Sequence, residues 1–170
     1  MQALERSTKL GTRYGGRFVQ TIDGISGSID QRHDWFYFVN GIEGDRSAAD
    51  YPLRNGDVEW WDYRDWGRYG ESVPVVVGAF PEPFLHGYDG KVRPAVVVGS
   101  GPGARALAAV VHGRVAAQAP LGANVLRLVA GPPHFTARLL PGGAVEFSFS
   151  GNAARLASDP SLFRYRYSAP

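Results

Sequence analysis

The chain has 170 residues, 44% hydrophobic and 20% charged, which is typical of a folded globular protein, and its lack of cysteine excludes disulfides and thiolate chemistry. The net charge is only +2, because residues 1–72 carry about −3 and residues 73–170 about +5, with the basic residues of the second half scattered singly. This pattern does not favour nucleic-acid binding. No segment reaches the ~20 apolar residues of a membrane helix. Because residues 1–9 also lack the apolar core of a signal peptide, we expect neither a membrane span nor an export signal in this chain.

The first elements in chain order indicate a small sheet with one helix. A helix is predicted over residues 1–10, with Gly11 as its stop. Alternating residues over 17–23 predict a strand that ends at an Asp-Gly turn. Two aromatic-rich strands follow, at 35–39 and 58–63, and both faces of the first are apolar, so that strand is predicted to be central.

A change of amino-acid composition near Ser72 predicts a boundary between two domains, 1–72 and 73–170. Tryptophan disappears after this point, and valine, proline and glycine become frequent. The second domain is predicted to contain an ordered loop at 78–90 and a helix at 103–112. Three strands are predicted after this helix, at 124–129, 135–140 and 145–149, and the last two form a hairpin. The predicted fold class is α+β: a helix with a small mixed or antiparallel sheet, followed by a small α/β domain.

The aromatic residues of the first domain exceed what one small core requires. All four tryptophans lie between residues 35 and 66. Trp35 and Trp60 are interpreted as parts of the sheet framework. Large rings interleaved with charges at the end of the second aromatic strand are hard to bury together. We therefore predict ligand contacts at Trp61, Tyr63, Trp66 and Tyr69.

No residue pattern assigns a catalytic or metal site. Val96–Ala104 reads as a strand followed by Gly-x-Gly-x-x-Ala, but the acidic residue expected about 20 positions later is missing, which favours a tight turn over dinucleotide binding. The four histidines have no metal-ligand spacing. An enzyme remains an alternative, with its site in the second half at the glycine turn 99–103, or at His86 and His134 with Glu82.

The motifs of the first domain resemble a known family. Ile22-Asp-Gly24, Trp35-Phe-Tyr-Phe-Val-Asn-Gly41, Tyr51-Pro-Leu53 and Gly56-Asp-Val-Glu-Trp60 are similar to the transcobalamin C-terminal-like family of bacterial surface and secreted proteins. The resemblance covers residues 1 to about 66. It implies a β-grasp-like fold and an extracytoplasmic, non-catalytic module, which in the transcobalamins helps to cover a bound cobalamin. The hairpin that usually precedes the first helix is missing, so we expect Met1 to lie inside the domain and a sheet edge to be open.

These observations favour a non-catalytic extracytoplasmic module that binds either a small molecule or a surface protein. The candidate small molecules are a cobalamin-like compound or another ring-containing compound. A purely structural or assembly domain that docks through an edge strand is a further alternative.

Overall fold

The computed structural model describes the backbone of residues 1–170 and every side chain except that of Gln2. The chain divides into two compact units, the first made of 1–39 and 43–73, the second of 40–42 and 74–170. Short helices and several small sheets occur together, so the predicted α+β class is confirmed.

The N-terminal unit contains two three-stranded sheets. Its elements are α1 (Gln2–Glu5), β1 (Leu10–Arg13), β2 (Phe18–Ile22), β3 (Ile25–Ser26), β4 (His33–Val39), β5 (Ile42–Glu43, at the junction of the units), β6 (Glu59–Asp65) and α2 (Trp66–Tyr69). The strand order is β1-β2-β3 in one sheet and β5-β4-β6 in the other. The prediction that the first aromatic strand is central is therefore confirmed.

The first helix is shorter than its sequence pattern predicts. It ends at Glu5, and the Thr8 amide and hydroxyl both donate to the Leu4 carbonyl. The prediction that Gly11 stops the helix was wrong, because Gly11 lies in β1, opposite Thr21 of β2. Pairing with the next strand, β2, decides this segment, and helix propensity does not include such pairing.

A bulge in the β1–β2 pair breaks the predicted alternation of β2. The register shifts between Gly11 and Thr12, so that Thr12 lies opposite Val19. Val19 and Ile22 are consequently both buried, although strict alternation places them on opposite faces.

The C-terminal unit is built on one mixed sheet. Its elements are a 3-10 turn (Val77–Ala79), α3 (Glu82–Leu85), β7 (Ala95–Val98), α4 (Gly101–Val110), β8 (Arg114–Ala116), β9 (Asn124–Leu128), β10 (His134–Leu139), β11 (Val145–Ser150) and α5 (Ala153–Ser158). The strand order is β10-β11-β9-β7-β8, with only the β10–β11 hairpin antiparallel. The predicted helix, the three strands and the hairpin of this half are confirmed, whereas β8, α5 and α3, which lies within the predicted loop 78–90, were not predicted.

Phenylalanine rings and small residues fill the core of this unit. Phe84 and Phe147 lie 5.2 Å apart between ring centroids, and Phe135 and Phe147 lie 5.6 Å apart. The glycine motif serves packing, because a Cβ on Gly103 would lie 2.7 Å from the Cβ of Ala153 in α5. The close approach of two helices explains this glycine without a bound phosphate.

Candidate functional site

Aromatic rings form a row on one face of the β4–β6 pair. The two strands are antiparallel, with Trp35 opposite Tyr63 and Tyr37 opposite Trp61. The ring centroids of these pairs are 5.1 and 5.4 Å apart, and His33 lies 5.3 Å from Tyr63. Contacts of this kind stabilise by about 0.5–1.5 kcal/mol each beyond simple burial, so the row is a rigid aromatic surface.

Hydrogen bonds fix the orientation of every large ring in this row. The Trp35 indole N–H donates to the Ile25 carbonyl at 2.9 Å, and the Tyr63 hydroxyl donates to the Ser26 carbonyl at 2.9 Å. The Trp61 indole N–H donates to Glu59 Oε1 at 3.0 Å. The rings are thus positioned before any ligand arrives, which reduces the entropic cost of binding.

The hydroxyl group of Tyr37 is also held by a hydrogen bond. Its hydroxyl donates to the Arg46 carbonyl at 2.7 Å. Burial, reinforced by the negative charge of Asp45, raises the pKa of Tyr37 to about 12. The phenol therefore stays protonated and acts as a hydrogen-bond donor over the whole physiological range.

A cavity of about 300 Å³ lies beside this aromatic row. Its walls combine rings, two guanidinium groups and three carboxylates. The lining residues are Arg17, Phe18, Val19, Asp34, Trp35, Phe36, Tyr37, Glu43, Gly44, Arg46, Ser47, Ala48, Trp61 and Glu71. The volume is at the lower end of the range of about 300–1,000 Å³ found for small-molecule sites.

The cavity coincides with a gap in the hydrogen bonding along one edge of β4. The Gly44 amide donates to the Tyr37 carbonyl, and Ser28 exchanges two backbone hydrogen bonds with His33. Trp35 lies between these two pairs, and its amide donates to Asp34 Oδ1 at 2.8 Å instead of to another strand. This gap explains why residues from both faces of β4 line one cavity.

Asp34 places a partly buried carboxylate at this gap. Burial raises the pKa of Asp34, and the hydrogen bond from the Trp35 amide opposes that effect. A carboxylate in this setting is an acceptor for hydroxyl or amide groups of a ligand. At the rim, Arg17 pairs with Asp50, and Arg46 pairs with Asp45 at 2.7 Å.

The opposite face of β4–β6 is organised around Arg64, whose side chain is 0% exposed. Its Nη1 donates to Glu43 Oε1 at 2.8 Å, and its Nε lies 3.2 Å from Asp62 Oδ2. The guanidinium lies 4.0 Å from the Phe36 ring centroid, and Trp60 stacks on Phe38 at 5.0 Å. This face supports the sheet that carries the aromatic row.

The four predicted ligand-contact residues occupy two places. Trp61 and Tyr63 lie in the aromatic row, and Trp61 also lines the cavity. Trp66 and Tyr69 lie in α2, where the Arg32 and Arg68 guanidinium groups lie 6.0 and 5.0 Å from their respective ring centroids. Tyr69 is 47% exposed. Ligand contact at these four residues stays a prediction.

Sequence reasoning did not include Trp35 among the candidate ligand contacts. It lies in the same row as Trp61 and lines the same cavity. Its alternation with Tyr37 was visible in the sequence, but the strand register that places both beside Trp61 and Tyr63 was not. Arg17, Asp34 and Arg46 were also missed, because loops and strand ends bring them together from different parts of the chain.

The histidines named for the enzyme alternative have different hydrogen-bond partners. His86 Nδ1 lies 2.7 Å from Glu82 Oε2. His134 instead contacts the Ser148 hydroxyl and the Pro132 carbonyl, both at 3.2 Å. Gly101 begins α4 at a φ of +84°, which is a conformation that favours glycine.

The described residues contain no group of three or more His, Asp or Glu residues able to hold a metal ion. None of the described helices has the length and apolar character that a membrane span requires.

Comparison with known proteins relates part of the chain to a family. No curated protein and no solved structure matches the chain. Residues 1–65, which include the aromatic row, match the family described as a domain of unknown function (DUF4430).

Proposed function

We propose that the N-terminal unit is a non-catalytic binding module that holds a ring-containing small molecule against Trp61 and Trp35. The observation that carries this proposal is the cavity of about 300 Å³ lined by both indole rings. Their hydrogen bonds to Glu59 and Ile25 hold the rings in place. A flat ligand stacks on such a surface with little loss of side-chain entropy.

The polar groups of the cavity indicate which polar groups the ligand carries beside its ring. Arg17 and Arg46 supply donors at the rim, and Asp34 supplies an acceptor. The ligand class that fits is a ring with both hydroxyl or amide donors and acidic or carbonyl acceptors. Sugars of cell-wall glycans and the amide-bearing edge of a corrin both have this character.

The size of the cavity limits how a cobalamin-like ligand is held. About 300 Å³ accommodates one or two rings, so a corrin would enter by an edge and extend outside. This mode agrees with a module that covers part of a ligand, as the resemblance to the transcobalamin C-terminal-like family implies. The same resemblance supports an extracytoplasmic location.

Fluorescence titration tests this proposal, because all four tryptophans lie in the N-terminal unit. The full chain is titrated with cobalamin, cobinamide, haem and N-acetylglucosamine oligomers. We expect one class to quench the emission. Trp61→Ala is expected to raise its Kd about tenfold or more, which corresponds to about 1.4 kcal/mol.

The matched control is Trp60→Phe, which changes the neighbouring ring on the opposite face and retains a stack on Phe38. It is expected to leave Kd unchanged. Trp66→Ala separates the cavity from α2 as the place of contact. If no ligand class quenches the emission, or if Trp61→Ala and Trp60→Phe change Kd equally, the binding proposal is wrong.

A further inference from the structure

The positive charges that line the cavity beside the aromatic row are already neutralised. Arg17 pairs with Asp50. Arg46 binds Asp45 through Nε at 2.7 Å and through Nη2 at 3.1 Å. Neither aspartate lines the cavity. The two guanidinium groups therefore offer a ligand hydrogen-bond donors but little net positive charge.

Two carboxylates of the lining have no cation beside them in the described part of the chain. Asp34 is half-buried and accepts the neutral Trp35 amide at 2.8 Å on Oδ1, while its Oδ2 meets no donor among the described residues. Burial raises the pKa of Asp34, and only that hydrogen bond opposes the effect. The exposed Glu71 carboxylate also has no ion pair there, whereas Glu43 pairs with the buried Arg64. The cavity thus presents net negative charge to a ligand.

The Trp35 carbonyl adds a third acceptor at the same place. His33 and Tyr37 form backbone hydrogen bonds on the edge of β4 that faces away from β6. Because the direction of backbone groups alternates along a strand, Trp35 points to that edge too. Among the described residues, no backbone hydrogen bond outside the strand ladders uses its carbonyl. An ammonium group, which has three donors and no acceptor, matches this carbonyl and Asp34 Oδ2.

The rings of the cavity favour an organic cation over a metal ion. The side chains of Trp35, Tyr37 and Trp61 line the space next to Asp34. The face of an aromatic ring attracts a cation, and that of tryptophan does so most strongly. A hard metal ion instead needs several oxygen ligands around it, which rings do not supply. Carboxylate and indole together therefore select a charged amine.

We propose that the ligand of this cavity carries a positively charged amine beside its ring, with the ammonium held by Asp34 and the Trp35 carbonyl and the ring packed against Trp61. This inference rests on the proposed function and narrows it: of two ligands with the same ring, the one with the ammonium binds more tightly. Amino sugars with a free amine and aromatic amines both have this chemistry. Glu71 adds attraction from the exposed side of the cavity.

Two matched pairs of ligands test the inference by isothermal titration calorimetry of the full chain. One pair is the glucosamine tetramer and the N-acetylglucosamine tetramer, and the other is phenethylamine and N-acetylphenethylamine. Acetylation removes the charge and keeps the ring. At a pH where both amines are protonated, we expect the amine of one pair to bind about tenfold or more tightly than its acetylated form. The pair that shows this preference identifies the ring as a sugar or an arene.

Three variants locate the charge that produces the preference. Asp34→Asn keeps an acceptor for the Trp35 amide and removes the charge, so it should raise the Kd of the amine about tenfold and leave that of the acetylated form nearly unchanged. Glu71→Gln changes an exposed side chain and should raise the Kd of the amine about threefold without affecting the fold. Asp30→Asn is the matched control, because Asp30 is exposed and does not line the cavity. It should leave both Kd values unchanged.

Different results would overturn this inference and the proposed function. Equal binding of the amine and the acetylated form in both pairs overturns the inference alone, provided that Trp61→Ala still weakens both forms. A preference that neither Asp34→Asn nor Glu71→Gln reduces, or that Asp30→Asn reduces equally, also overturns it. If Asp34→Asn removes the preference and Trp61→Ala has no effect, the ring contact of the proposed function is wrong. Absence of binding in both pairs refutes the amine, and the proposed function fails with it when cobalamin, cobinamide and haem also do not bind.

Discussion

Replacing Arg64 by alanine is expected to destabilise the N-terminal unit strongly. The guanidinium is 0% exposed and lies 2.8 Å from Glu43 Oε1, 3.2 Å from Asp62 Oδ2 and 4.0 Å from the Phe36 ring centroid. Glu43 also accepts from the Ser72 hydroxyl and the Val73 amide, so it ties β6 to residues 72–73. Removing Arg64 leaves two partly buried carboxylates without their cation.

The expected loss is about 3–5 kcal/mol in the free energy of unfolding, because a broken buried pair leaves an uncompensated charge. This is a large part of the 5–15 kcal/mol that stabilises a typical domain. With about 4–8 °C per kcal/mol for a unit of this size, Tm should fall by roughly 12–40 °C.

The assay is urea unfolding followed by tryptophan fluorescence, which reports on the N-terminal unit because all four tryptophans belong to it. Arg17→Ala is the matched control, because Arg17 also forms an ion pair, with Asp50, but its side chain is 64% exposed. Exposed pairs contribute about 0–1 kcal/mol. The double change Arg64→Met with Glu43→Gln should recover part of the loss, because the Gln oxygen still accepts from Ser72 and Val73 and no buried charge at residue 43 is then left unpaired, whereas Asp62 still lacks its cation.

The reasoning is refuted if Arg64→Ala costs no more than Arg17→Ala. It is also refuted if the double variant is less stable than Arg64→Ala, since the charge of Glu43 would then stabilise the fold without Arg64.

Three further predictions concern single residues. Because the folded pKa of Tyr37, about 12, lies above its ordinary value of 10, its contribution to stability is complete below pH 10 and is lost as the pH rises toward 12; alkaline unfolding of Tyr37→Phe should lack this phase. Gly41→Ala should destabilise the protein by about 2 kcal/mol or more, because φ is +78° and the new Cβ would lie 2.6 Å from the Ala79 Cβ. The control is Gly24→Ala, where φ is +86° but the new Cβ meets no atom within 4 Å, so it should cost about 1 kcal/mol. Thermal unfolding compares the two variants. Burial raises the pKa of Glu146, but hydrogen bonds and charges from Arg127 and Arg138 outweigh it and the pKa is lowered, so its stabilisation is present above the unfolded pKa and is lost as the pH falls through the folded one. Acid unfolding followed by circular dichroism should therefore be less steep in Glu146→Gln, and an unchanged curve would contradict the assignment.

Much of the fold was predictable from local patterns. Alternation identified β2, β4 and β6, and helix composition identified α4, because both signals depend only on neighbours in sequence. The short elements β3, β5, β8 and α5 were not predicted. Segments of two to six residues carry too little periodicity to be recognised, and long-range pairing decides whether they form.

The candidate site was predictable only in part. The surplus of rings pointed to Trp61 and Tyr63, which lie in the aromatic row. Trp35 was assigned to the framework alone, yet it lines the cavity with Trp61. Asp34 and the two arginines gave no signal, since nothing in their spacing relates them to each other.

The sequence by itself determined the α+β class, the two aromatic strands and the concentration of tryptophan in the first half of the chain. The tertiary structure decided which rings share a face and where the hydrogen bonding of β4 is interrupted beside Trp35. These features depend on strand register, and a shift of one residue moves every side chain to the other face. Register is set by contacts between residues far apart in the chain, so no local pattern contains it.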